Sequence, residues 1–111
     1  MAYDEELADR VRDILAVREG LSERKMFGGV AFMIGGNMAC GVLGSELMVR
    51  MAAEDADAAL SEDHVRPMDF TGKPLRGMVY VGAEGIVADR DLAGWVEAGA
   101  DHAASLPAKR R

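Results

Sequence analysis

The side chains able to do chemistry in this sequence are Cys40, His64, His102, the serines Ser22, Ser45, Ser61 and Ser105, and a surplus of carboxylates. Their spacing matches no metal site: there is no Cys-x-x-Cys, no His-x-x-x-His and no His-Glu-x-x-His. His64 falls in a polar loop and His102 late in the last predicted helix, and both read as solvated surface histidines. Cys40 lies in the strand-like run Asn37-Met38-Ala39-Cys40-Gly41-Val42. A reactive thiolate needs a helix N-terminus or a nearby cation, so this cysteine reads as a small core hydrophobe. None of the serines sits in a Gly-x-Ser-x-Gly elbow. Asp55 and Asp57 read as exposed helix charges rather than an acid–base pair.

Cofactor loops are missing as well. A phosphate-gripping loop requires Gly-x-x-x-x-Gly-Lys-Ser/Thr, but Gly72-Lys73 is followed by Pro74 and the upstream glycine position holds Pro67. No Gly-x-Gly-x-x-Gly occurs, so no cofactor is expected. Two function classes stay open from the residues: a protein-binding domain, and a small-ligand binder or enzyme with a pocket near Cys40.

Charge narrows the partners. Thirteen basic residues stand against nineteen acidic, a net −6, and Lys109, Arg110 and Arg111 form a short basic tail. Without that tail the balance is ten against nineteen, or −9. Phosphate backbones are held by clustered Lys and Arg that release counterions, so direct non-specific nucleic-acid binding is not expected. The longest apolar run, Val30 to Ile34, is far below the ~20 residues of a membrane span, and the acidic N-terminus is unlike a signal peptide. With one cysteine and no internal disulfide, a cytoplasmic location is expected.

At 111 residues the chain predicts one domain over 1–106, with 107–111 as tail. Leu7, Val11, Ile14 and Leu15 make one apolar stripe on a helix over 4–18, with Glu6 and Arg10 spaced to pair and Gly20 as a stop. Residues 25–34 predict a strand bent at Gly28-Gly29; 38–43 and 47–51 predict two more, joined through Gly35-Gly36-Asn37 and Gly44-Ser45-Glu46. Alanine-rich 53–60 predicts a short helix. Strands follow over 65–70, at an edge because of Pro67, and over 76–81, with a turn at 71–74 between them. The last helix, capped by Asp89 or Asp91, places Leu92, Trp95, Val96, Gly99, Ala103 and Leu106 on one face. Gly99 on that face suggests close approach of a neighbour. The order is helix, three strands, helix, two strands, helix, which predicts an α+β domain with an antiparallel five-stranded sheet covered by helices on one face.

Alternation on the third strand turns Leu47, Val49 and Met51 to one face and Met48 and Arg50 to the other. The second face is therefore expected to be half apolar and half basic. Lys25, Arg50, Lys73 and Arg76 are the candidate interaction patch, and an apolar second face would also suit a homodimer.

The run Lys25-Met26-Phe27-Gly28-Gly29-Val30 after an amphipathic helix resembles the N-terminal domain of the TfoX/Sxy family. So do Asn37-Met38 through Gly41, Glu46-Leu47-Met48-Val49-Arg50, Pro67-Met68-Asp69-Phe70, and Arg76-Gly77-Met78-Val79-Tyr80-Val81. The similarity spans about residues 3 to 106. It implies an antiparallel α+β fold in which Met26, Phe27, Gly28 and Gly29 are structural motif residues. It also implies a regulator of the competence type, a transcriptional coactivator with protein partners in the transcription machinery and no catalytic residues. Named regulators of the family carry a second, C-terminal helical domain after the part that resembles this sequence.

Overall fold

The computed structural model describes residues 3–26, 28–69 and 74–107, apart from the side chains at 26, 68, 69 and 74–76. Helix α1 (Glu5–Leu15) starts where Asp4 Oδ1 accepts the Leu7 N–H at 3.1 Å, and it buries Leu7, Ala8, Val11 and Leu15. Strands β1 (Leu21–Met26), β2 (Gly29–Ile34), β3 (Asn37–Leu43) and β4 (Glu46–Arg50) follow as a meander. Next come α2 (Ala53–Ala59), β5 (Val65–Asp69), β6 (Pro74–Val81), a 3-10 turn at Ala83–Ile86, and α3 (Asp89–Ser105). All neighbours in the sheet are antiparallel, in the order β1-β2-β3-β4-β6-β5.

The sheet has six strands where five were expected. The run expected as one bent strand over 25–34 spans the end of β1 and all of β2, a hairpin whose register brings Met26 opposite Gly29. Its first strand, Leu21-Ser22-Glu23-Arg24-Lys25-Met26, is too polar to announce itself by hydrophobic pattern. Charged residues of this kind are what keeps an exposed sheet edge from pairing with other chains. β5 is the other edge, as Pro67 suggested. Phe27 and residues 71–73 of the turn expected at 71–74 lie outside the described residues, while Pro74, expected in that turn, opens β6.

One face of the sheet packs against all three helices. Val11 and Leu15 from α1, Ala56 and Ala59 from α2, and Leu92 and Val96 from α3 close over Val30, Phe32, Val42, Leu47, Val49, Val79 and Val81. Expected contacts differ in two places. Arg10 does not turn to Glu6; its Nη2 donates to the carbonyls of Ile86 (3.0 Å) and Val87 (3.1 Å) and to Asp89 (3.0 Å), tying α1 to the start of α3. Neither Asp89 nor Asp91 caps α3: the cap position is Ala88, and both aspartates sit in the first turn, where they complement the helix dipole.

β3 carries an irregularity beside β2, where Phe32 pairs with Cys40 but Met33 pairs with Met38, leaving Ala39 as an extra residue. The Ala39 carbonyl projects at α3 so closely that a Cβ at Gly99 would stand 2.2 Å from its oxygen. Gly99 is thus a close-contact position between helix and sheet.

Candidate protein-interaction face

The face away from the helices is built by alternation. Glu23, Phe32, Cys40, Val49 and Val79 are in register across the sheet and face the helices; the next row is Arg24, Ala31, Gly41, Met48, Tyr80 and Arg66. This second row crosses all six strands. At about 4.8 Å per strand, its two terminal arginines are separated by roughly 24 Å of sheet.

The centre of the row is apolar. Met48 is fully buried although it points away from the main core, because its side chain lies down on Gly41; a Cβ there would come within 2.7 Å of Met48 Cε. Tyr80 packs beside Met48, and half-buried Met38, Leu43 and Met78 surround the pair as a second, smaller apolar cluster. Methionine is flexible and polarizable, so a surface of this make-up can mould itself to an incoming chain.

The ends of the row are basic. The Arg66 guanidinium lies 4.6 Å from the Tyr80 ring centroid and forms a two-pronged bond with Glu46, Nη2 to Oε1 at 2.6 Å and Nη1 to Oε2. Hydrogen bonding to Arg66 holds the Glu46 carboxyl below its ordinary range, and burial pushes the Tyr80 hydroxyl up. Arg66 is thereby partly neutralised. Arg24 is exposed, and Arg50, opposite Met78, is half-buried. Neither has an ion pair among the described residues.

Of the four candidate bases, Arg50 is on this face. Lys25 is not: it pairs with Val30, whose side chain is in the main core, so it projects on the helix side at the β1 edge. Lys73 and the Arg76 side chain lie outside the described residues, as do Phe27 and the Met26 side chain; Gly28 has φ +78° and Gly29 opens β2. Sequence reading passed over Arg24, Arg66 and Tyr80. Alternation on 65–70 and 76–81 carried the signal for the latter two, whereas Arg24 required β1 to be recognised.

Cys40 faces the helices with no exposed surface, and burial pushes its thiol up to about 12. The clefts described for the surface lie among the helices and do not reach it. Native protein is therefore expected to leave a colorimetric thiol reagent unreacted at neutral pH, with one equivalent released on denaturation. A fast thiol in native protein would contradict the burial. His64, at φ +68°, is exposed with Nδ1 3.5 Å from the Glu84 carboxylate, and His102 is half-buried on α3. Among the described residues no group of three or more His, Cys, Asp or Glu is placed to hold a metal ion, and no helix is long and apolar enough to cross a membrane.

Residues 13–103 match the family model described as TfoX N-terminal domain. Comparison with curated proteins and with solved structures gave no match.

Proposed function

Because this chain belongs to the TfoX N-terminal domain family, we propose that it is a non-enzymatic regulatory domain that binds another protein through the open face of its sheet. The observation carrying this reading is the row in which arginines flank a methionine and tyrosine centre on a protein of net charge −6. An acidic segment with apolar side chains complements it: carboxylates meet Arg24 and Arg50, and apolar groups settle among Met38, Leu43 and Met78. The family resemblance points to the transcription machinery as the source of that segment.

Nucleic acid fits this face less well. The described arginines are few and widely spaced, one is already engaged by Glu46, and the acidic remainder of the molecule repels phosphate. Strand-to-strand pairing of two copies is disfavoured by Glu23-Arg24-Lys25 on one edge and Pro67 on the other.

A nuclease-treated pull-down from native host extract tests the reading, comparing the natural chain with an Arg24→Glu/Arg50→Glu variant. Recovery of RNA polymerase or a transcription factor by the natural chain, and its loss with the variant, is the expected result. Equal recovery by both chains would remove the open face from the account.

A further inference from the structure

We propose a second docking surface on the opposite side of the molecule: a trough between α2 and α3 that receives a basic amphipathic helix from a protein partner. Both helices are anchored in the core, and an open groove of about 610 Å3 lined by residues of both lies beside Met51. A cleft of about 300 Å3 continues it towards the start of α3, sharing Met51, Glu62, Trp95 and Ala98 with the first. Together they run beside α3 from Asp91 to Ser105. At 1.5 Å per residue this is roughly 21 Å, the length of about 14 helical residues. The shape is that of a helix rather than a compact metabolite.

Floor and rim specify the occupant. Met51 and the half-buried Trp95 ring line the floor, while Ala58, Ala98 and Gly94 are small enough to admit another backbone. Asp55, Glu62 and Asp91 stand exposed along the rim and have no ion pair among the described residues. Asp101 is shared with Arg18 at 2.8 Å. Arg90 and His102 are the basic side chains lining the trough, so carboxylates dominate it. An apolar stripe flanked by Lys or Arg complements both features, the helix-in-groove mode of recognition. The two surfaces thus have opposite charge preferences, and one partner segment cannot satisfy both.

Trp95 is the only tryptophan in the chain, so its emission reports directly on the trough. The probe is a peptide of about 14 residues with Leu at helical spacing, Lys on the flanks and no aromatic residue; its controls are a scrambled peptide of the same composition and one with Glu in place of Lys. The Leu/Lys peptide should shift Trp95 emission to saturation, and neither control should. An Asp55→Asn/Glu62→Gln/Asp91→Asn variant, altered only at exposed positions, should bind the peptide roughly tenfold more weakly from the loss of three exposed ion pairs. The Arg24→Glu/Arg50→Glu variant should bind it as well as the natural chain.

Several results would overturn the proposal. An equal shift with the scrambled peptide would remove the amphipathic requirement, and unchanged affinity in the triple variant would remove the charge argument. Loss of binding in the arginine variant would move the peptide to the sheet face. An emission change that follows protein concentration alone would make a second copy of this chain the occupant.

Discussion

Gly99→Ala should destabilise the domain by about 2 kcal/mol, even though alanine is the better helix former by about 1 kcal/mol. The added methyl group would stand 2.2 Å from the Ala39 carbonyl oxygen and 3.1 Å from its carbon. Both sides of this contact are constrained: Ala39 is fixed by the irregular pairing of β2 and β3, and α3 by Leu92, Val96, Ala100 and Ala103 in the core. Relief requires α3 to lift from the sheet, which loosens that apolar contact. The same change at Gly94, on an exposed turn of α3 with nothing within 4 Å of the added Cβ, should stabilise by about 1 kcal/mol. Thermal melts of the two variants should therefore move in opposite directions, with Gly99→Ala falling by roughly 8 °C. A rise in both would mean that α3 does not sit against the bulged strand.

Arg24→Glu/Arg50→Glu should leave stability nearly unchanged, within about 0.5 kcal/mol, because neither arginine has an ion pair among the described residues. Its effect on partner affinity should be large. Reversal converts two attractions into two repulsions at the rim of the apolar cluster, and a loss of roughly thirtyfold to hundredfold is expected. Raising ionic strength should weaken binding of the natural chain and narrow the gap between the two proteins. Arg66→Glu is a poorer test, since that side chain also holds Glu46 and covers Tyr80. Its loss would mix local packing with recognition.

The two longer helices were legible because a 3.6-residue stripe survives in a short amphipathic sequence: Leu7, Val11 and Leu15, then Leu92, Val96 and Ala103, are all in the core. The second face of the sheet was legible for a similar reason. On β4, Met48 and Arg50 do face away from Leu47 and Val49. β1 was not legible, because an edge strand buries little and Glu23, Arg24 and Lys25 obscure its pattern. That omission had a consequence for the site. With residues 25–34 taken as a single strand, Lys25 joined the basic patch, whereas the hairpin directs Lys25 to the helix side and Arg24 to the open face. The placement of β6 between β4 and β5 was equally hidden, since strand order depends on which apolar faces fit together in three dimensions. Gly99 was visible as an oddity on a buried face; its reason, the bulge at Ala39, is a tertiary feature with no local sequence sign.

The central claim is that a protein partner docks on the open sheet face. Site-specific photo-crosslinking in the native host tests it most directly, with a photoreactive amino acid placed singly at Met38, at Met78 or at the exposed helix-side residue Val17. The account predicts the same protein adduct from positions 38 and 78 and none of it from 17. An adduct formed from 17 while 38 and 78 stay silent would contradict it.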